Sequence, residues 1–500
     1  MDMPTLTTTP EIKVTFWPPL FLQRKIWVLN VLRRDNIAWV VDLGCGEGEL
    51  LATLCQPAPW LPSDRELLET SKQPNLINIL TRNHPEEEHE NEIRNLHPRR
   101  LAGLDISSRD LKYAVECTAP SAREPYARWE PLEVQIWKGG LEAINPEFTN
   151  AECIVATEVV EHLPDAILSD FAPVILGVYH PRIFLMTTPS YDFNARFSAP
   201  DAPRDEGYPD PTGRTTRIFR HQDHKFEWTV DEFVQWCQEA ANEWGYSVVT
   251  SSVGTALERD EWGRDEELGG ASQVAEFRRL DDSPSTEMRS NKRKNVLERA
   301  LGRPNHELLA AHSYFSHASA GKPSSLDHVG DLIVTNMEQR GEEVTRMEGL
   351  WFIPNVSVSC GGRIEVMMDA IEIHTKLRLR KDGGKRSAWE VELVGGISRA
   401  VLDWHSHCEE EPHLDEKQLD QDCLYEDEQS EVTDGDEDYI EAPWTDSNLS
   451  ENNLIEEDIS AWNLDVNTWV QADADGGIWG KWDEPALDSW DIDEDWNKEV

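Results

Sequence analysis

Apolar positions in the first 280 residues fall in short runs separated by stretches with helical spacing. The run "AWVVDLG" (38–44) is rich in β-branched residues and stops at a glycine, which predicts a buried parallel strand. Four more runs follow: "LAGLDI" (101–106), "LEVQIW" (132–137), "ECIVATEV" (152–159) and "RIFLMTT" (182–188). Helical patterns lie between several of them, notably over 107–117 and 161–178, and a first helix is predicted over about 19–34, entered through Pro18 and Pro19. Strand–helix alternation of this kind predicts an α/β fold with a doubly wound sheet. A helix at about 229–243 ("TVDEFVQWCQEAANE") and two late strands, "YSVVTSSV" and "SQVAEFRR", complete the pattern.

Three regions stand apart from it. Residues 56–98 are rich in Glu and Asn and read as a surface insertion with a helix of its own. Residues 281–400 contain "LWFIPNVSVS" and "IEVMMDAIEIHTKLRLR", which fit strand or helix equally and carry no motif, so they stay unassigned as a small, partly folded module. Residues 401–500 hold 33 Asp plus Glu against 3 Lys and no Arg, most of the formal charge of −48. Such a segment is expected to be a disordered acidic tail, and it would repel nucleic acid. The predicted organisation is therefore a globular domain over 14–280, the unassigned 281–400, and the tail. Eight scattered cysteines without a Cys-x-x-Cys pair point to a reducing compartment, the cytoplasm or the nucleus. Neither a leader nor a membrane span is legible, so a soluble monomer is expected.

The first strand ends in "VVDLGCGEGEL", which places Asp42, Gly44, Gly46 and Gly48 before a helix. Glycines let the backbone turn sharply and approach a ligand, and the helix start offers free N–H groups. The D-x-G-x-G-x-G spacing suits a cofactor with a carboxylate and no phosphate. It is similar to the first motif of S-adenosylmethionine-dependent methyltransferases built on a seven-stranded sheet; an ordinary glycine turn is the alternative. Asp105 ends the second strand, where an acid binds ribose hydroxyls in such folds, with helix capping as the alternative. Gly140, with Gly139, would let the backbone approach the adenine side after the third strand.

The fourth strand ends in "ATEVVEHLPD". On a helix, Glu158, Glu161 and His162 would share one face, although a solvated acidic first turn is the plainer reading. "FRHQDHKFEW" (219–228) adds His221, Asp223 and His224. Two Glu and two His make a mixed N/O donor set that suits Mg²⁺ or Mn²⁺, with Mn²⁺ or Co²⁺ favoured by the imidazoles.

With "FWPPLFLQR" (16–24), "DLGCGEG", "LDIS", "EVVEHL", "TTPSYDFN" (187–194) and "DHKFEW" in that order, the chain resembles the small-RNA 3′-terminal 2′-O-methyltransferases over about residues 14–280. The resemblance implies S-adenosylmethionine as cofactor and a divalent cation on Glu158, Glu161, His162 and His224. It also implies methylation of the 2′-hydroxyl at the 3′ end of small RNA, which protects that end. His162 or His224 would take the proton. Double-stranded-RNA-binding domains like those of the plant relatives are not seen in the sequence. Arg214, Arg217 and Arg220, at three-residue spacing beside the metal motif, read as a clamp on RNA phosphates or as ordinary surface arginines. Trp444, Trp462, Trp469, Trp479, Trp482, Trp490 and Trp496 in the acidic tail resemble tryptophan hooks for Argonaute-type proteins. The competing functions are a small-molecule O-methyltransferase of the same fold, which leaves the Glu/His quartet unexplained, and a non-catalytic adaptor acting through the tail.

Overall fold

A computed structural model of the chain describes residues 12–62, 96–120, 127–200, 202, 207–381 and 388–397. Its main sheet is built from β1 (Trp39–Leu43), β2 (Arg100–Asp105), β3 (Leu132–Lys138), β4 (Cys153–Thr157), β5 (Ile183–Pro189), β8 (Tyr246–Val253), β9 (Ser272–Arg279) and β10 (Glu307–Tyr314). The intervening β6 (Tyr208–Pro209) and β7 (Ile218–Phe219) pair with each other as a short ribbon. The strand order is β10-β3-β2-β1-β4-β5-β9-β8. Strands β1 to β5 run parallel, while β9 is antiparallel to both β5 and β8. The seven strands expected are all present, and an eighth extends them: β10, from the stretch left unassigned, pairs antiparallel with the outer edge of β3.

Alternation along the strands loads both faces of the sheet. Val40, Leu101, Val134 and Val155 point to one face, where they pack with Val28 and Leu32 of α1 (Leu20–Arg34), Leu51 of α2 (Glu49–Cys55) and Leu111 of α3 (Asp110–Cys117). Val41, Ala102, Ile154 and Phe184 point to the other, where Phe171 of α4 (Asp165–Ala172) and Phe233 and Trp244 of α5 (Val230–Trp244) cover them. Burial on both faces is why the strands read as continuous apolar runs. Helix α5 follows its sequence signals closely. Thr229 and Glu232 form a capping box at its start, and Gly245 closes it at φ +70°.

The helix predicted over 161–178 forms differently. Residues Val160–His162 make a single 3₁₀ turn, α4 starts only after Pro164, and Pro173–Tyr179 continue as π-helical turns. Proline disfavours helical geometry in the residue before it and cannot donate an intrahelical hydrogen bond, so two prolines divide the segment.

Beyond the sheet, α7 (Ser283–Arg299) packs on the Pro173–Tyr179 turns, α6 (Asp265–Leu268) being a short turn between β8 and β9. A second core follows, formed by α8 (Leu326–Arg340), α9 (Met347–Trp351), α10 (Pro354–Ser359), α11 (Ile364–Ile373) and a small sheet ordered β11-β13-β12 (Val344–Arg346, Glu390–Leu393, Leu377–Arg380). Most of the 56–98 insertion and the whole 401–500 tail with its tryptophans lie outside the described residues. Among those described, no helix is long and apolar enough to cross a membrane.

Candidate functional site

The order in which strands are added reverses between β1 and β4, and open α/β sheets bind ligands at such a point, beyond the carboxyl ends of the strands. Both sequence motifs open there. After β1, Gly44, Gly46 and Gly48 have φ of +73°, +50° and +84°, a region that residues with a Cβ enter only at a cost. The turn is held from β2: Asp105 accepts the Gly46 N–H at 2.9 Å and the Ser107 N–H at 2.8 Å, and the Leu104 carbonyl accepts the Gly44 N–H at 2.8 Å. Asp105 therefore supports the glycine turn and caps its own loop with the same carboxylate. Asp42 is buried, and its Oδ1 has no hydrogen-bond partner among the described residues. Burial, reinforced by the nearby Asp105 charge, pushes its carboxyl up to about 7. A buried acceptor without a donor, beside a glycine turn shaped for close approach, fits a cofactor that brings donors of its own.

The β4 end carries the second motif. Glu158 sits at φ +55°, a strained conformation for a residue with a side chain, of the kind that gathers at functional sites. Its N–H is held by the Thr187 carbonyl at 3.0 Å. Its carboxylate accepts from Thr187 Oγ1 at 2.7 Å and pairs with Arg24 at 2.8 Å, while Arg24 also donates to Ser272 Oγ at 2.8 Å. Glu161 is 1 % exposed and accepts from Thr188 Oγ1 at 2.9 Å. Its carbonyl takes the Lys225 N–H at 2.7 Å, which ties the loop carrying His224 to this turn. One ligand atom from each of Glu161, His162 and His224 falls within 4.8 Å of the others. The His162 and His224 ring centroids are 5.0 Å apart.

Burial dominates the electrostatics. It raises the carboxyls of Glu158 and Glu161 above the usual carboxylate range, Glu161 strongly because the Glu158 charge lies nearby. Burial and the neighbouring His224 lower His162, which stays neutral at pH 7. A desolvated Glu161 carboxylate facing two imidazoles, with that of Glu158 close by, forms a donor set that a divalent cation would stabilise.

The route to this cluster differs from the helical spacing expected. Glu158, Glu161 and His162 share no helix; a left-handed residue and one 3₁₀ turn bring them close. The trio that converges excludes Glu158, whose carboxylate turns towards Arg24 and Thr187. His221 is more than half exposed and stands beside the cluster, 5.1 Å from His224 between ring centroids. The arginine triplet divides. Arg217 makes a two-pronged pair with Glu232 at 2.7 and 2.9 Å and stacks on Tyr191, so its guanidinium fastens the β6–β7 ribbon to α5. Arg220 lies over the Phe197 ring at 3.6 Å, and Arg214 is exposed and pairs with Asp165 at 3.1 Å. After β3, the Gly139 N–H bonds to the Asp105 carbonyl at 3.0 Å, which places Gly139 and Gly140 on the same rim as the glycine turn.

Several supporting residues escaped the sequence. Glu227 is 1 % exposed; it accepts from His224 Nδ1 at 2.7 Å, from Asn194 Nδ2 at 2.6 Å and from the Arg220 N–H at 3.2 Å. A glutamate three positions after His224, between Phe226 and Trp228, was the available signal. Arg24, Thr187, Thr188 and Ser272 come from distant parts of the chain and carried none.

No family model matches this chain. Curated sequences do. An Arabidopsis thaliana small RNA 2′-O-methyltransferase is 27% identical over 266 residues, 53% of this chain and 23% of that protein. Its Drosophila melanogaster counterpart is 26% identical over 282 residues, 55% of this chain and 59% of that protein. This chain is similar to the small RNA 2′-O-methyltransferases over about half of its length. A Schizosaccharomyces pombe protein of the same name extends the likeness to fungi, at 23% identity over 44% of this chain and 49% of its own length. The chain spans about half the length of most of the curated relatives it matches, and about a quarter of the plant one. Among solved structures, the small RNA methyltransferase HEN1 superposes with a TM-score of 0.40 at 22% identity, covering 62% of this chain and 29% of that one. The methyltransferase domain of a bacterial Hen1 gives 0.34 at 24%, covering 52% and 98%.

Proposed function

We propose that this chain transfers a methyl group from S-adenosylmethionine to the 2′-hydroxyl of the 3′-terminal nucleotide of small RNA. The observation that carries the reading is the convergence of Glu161, His162 and His224, with Glu158 beside them, next to the glycine turn after β1. When bound, S-adenosylmethionine supplies an electrophilic methyl group, and Mg²⁺ or Mn²⁺ on these four residues supplies Lewis acidity towards vicinal ribose hydroxyls.

The chain's own residues do the rest. Gly44, Gly46 and Asp105 shape the floor for the cofactor, with Asp42 as buried acceptor and Gly140 on the adenine side. Glu227 engages His224 Nδ1, so the other ring nitrogen of His224 is left for the cluster. His162 is neutral, and an imidazole of this pair takes the 2′-hydroxyl proton. Arg24 and Thr187 fix the Glu158 carboxylate, and Thr188 fixes that of Glu161. A site built for two adjacent hydroxyls accepts only a free 3′ terminus, which explains why the end of the RNA would be its target. Arg214, on the exposed side of the ribbon, is the triplet's best candidate for a phosphate contact.

The assay is transfer of label from S-adenosylmethionine to short RNAs ending in 3′-OH, 3′-phosphate or 2′-deoxyribose. Labelling of the first alone is expected, abolished by EDTA and restored by Mn²⁺. Glu158→Ala and His224→Ala should lose activity while still binding S-adenosylhomocysteine. Equal labelling of the three ends, or full activity in EDTA, would reject the mechanism.

The same reading extends to partner and place. The spaced tryptophans of 444–496 suit capture by an Argonaute-type protein, and co-purification unaffected by changing all of them to Ala would refute this. Cysteines scattered along the chain without a Cys-x-x-Cys pair suit a reducing compartment, the cytoplasm or the nucleus.

A further inference from the structure

The turn after β3 has support from outside the seven-stranded core. The linker between α7 and β10 passes directly behind it, and two of its side chains reach in. His306 Nε2 bonds to the Gly140 carbonyl at 2.9 Å. Its ring lies so close to the turn that a Cβ added to Gly139 would run into it. Arg303 donates one arm to the Glu142 carbonyl at 2.6 Å and the other to the buried Asp170 carboxylate at 2.6 Å. Both contacts grip backbone carbonyls of one loop, 140–142, and the pairing of β10 with β3 fixes the linker that delivers them.

The loop matters because of what it continues into. Gly46 is bonded to the Asp105 carboxylate, the Asp105 carbonyl to Gly139, and the Gly140 carbonyl to His306. That chain of hydrogen bonds runs along the carboxyl ends of β1, β2 and β3, from the glycine turn to the outer strand. In a doubly wound sheet this rim carries the nucleoside end of a cofactor.

We propose that His306, seconded by Arg303, is a cofactor-positioning residue: it holds the turn at Gly139 and Gly140 in the shape that receives the adenosyl part of S-adenosylmethionine. The proposal rests on the cofactor reading above. It assigns a role to the α7–β10 extension: a brace for one wall of the cofactor site. His306 acts through Gly140 and has no part in the metal cluster or the proton transfer. Burial lowers its pKa, which keeps the ring neutral at pH 7. Bonded through Nε2–H to a carbonyl, it has an Nδ1 that is buried without a hydrogen-bond partner among the described residues. Such a ring is costly to place, and the position it braces accounts for it.

Titration calorimetry with S-adenosylhomocysteine tests this on the full chain, without catalysis. The His306→Ala variant should bind about tenfold more weakly, the scale of one backbone hydrogen bond. His306→Gln, which can return an N–H to the Gly140 carbonyl, should recover most of the loss. In turnover, KM for S-adenosylmethionine should rise while KM for RNA and kcat hold. If His306→Ala does not fold, Arg303→Gln, which releases the same loop at Glu142, reads the same shift. Tight binding by wild type with equal binding by the variants overturns the brace alone. Failure of wild type to bind S-adenosylhomocysteine overturns the cofactor reading and the brace with it.

Discussion

Glu227 offers a sharp test of how the cluster is built, because it touches His224 and lies outside the proposed ligand set. Its carboxylate is buried and accepts three hydrogen bonds: His224 Nδ1 and the Arg220 N–H on Oε1, and Asn194 Nδ2 on Oε2. Changing Glu227 to Gln keeps the volume and removes one acceptor oxygen. Whichever way the new amide turns, its NH₂ faces a donor, either Asn194 or the His224 and Arg220 pair. A buried donor left unsatisfied costs about 1–3 kcal/mol. The amide will place its oxygen where two donors wait, so the mismatch falls on Asn194, and the protein folds with a modest loss of stability. The histidine then keeps a neutral acceptor in place of a carboxylate and becomes a weaker donor to a cation at its other nitrogen. Outer partners of this kind are worth about 10–100-fold in metal affinity. A Mn²⁺ titration of methyl transfer should therefore move its midpoint 10–100-fold upwards for Glu227→Gln, with S-adenosylhomocysteine affinity unchanged. An unmoved Mn²⁺ midpoint in a folded variant would refute the role assigned to Glu227, and with it the placing of His224 in the metal set.

Two further outcomes follow from named groups. Asp42 holds its proton more tightly folded, at about 7, than an unfolded aspartate would. Its contribution to stability is thus fully present below about pH 4 and lost as pH rises through 7. Asp42→Asn should exceed wild type in melting stability at pH 8 by about 2–4 kcal/mol, converge with it near pH 4, and lose cofactor affinity; a stability gap that does not vary with pH would refute this. Arg214 pairs with Asp165 in the open, where an ion pair adds about 0–1 kcal/mol, so Arg214→Glu should fold normally. It should weaken RNA binding and flatten the dependence on salt by about 0.7 per lost phosphate contact in a log–log plot, with an unchanged slope counting against the contact.

The energetic cost of the site is concentrated where the sheet ends. Asp42 and Glu161 are buried there and Glu158 is partly buried, all with their carboxyls pushed upwards, and Glu158 carries backbone strain besides. None of the three is needed to close a core: Val41, Leu43, Ile154 and Ala156 do that from the same two strands. A fold keeps desolvated acids at such positions when something bound compensates them. Arg24 provides part of that compensation for Glu158 already, and it reaches the site from α1, the first helix of the domain.

The sequence exposed what depends on local pattern. Runs such as "AWVVDLG" and "RIFLMTT" are buried on both faces, and that burial is itself what makes an apolar run continuous, so strand positions and order could be read directly. The capping box at Thr229 and Glu232 and the glycine at 245 are likewise local chemistry. The candidate ligands were legible as residue types in order, from a family resemblance, while their geometry was not. Helical spacing would bring Glu158, Glu161 and His162 to one face, whereas a 3₁₀ turn brings Glu161 and His162 together and the Glu158 carboxylate turns to Arg24. Pro164 prevents the helix from reaching back to them, and the turn they adopt is held by Thr187, Thr188 and Lys225, between twenty-seven and sixty-four positions away along the chain. The partner of Arg217 was hidden for a related reason. An arginine beside a ligand motif looks free to meet a phosphate until Glu232, on the next helix, is seen to take both arms of it. β10 had the weakest signal of all: "ELLAAHSY" carries exposed leucines on an edge strand, and only its register against β3 gives it a place. Pairing of that kind is a property of two segments nearly 170 residues apart, which is why the brace at His306 becomes visible only once the sheet is assembled.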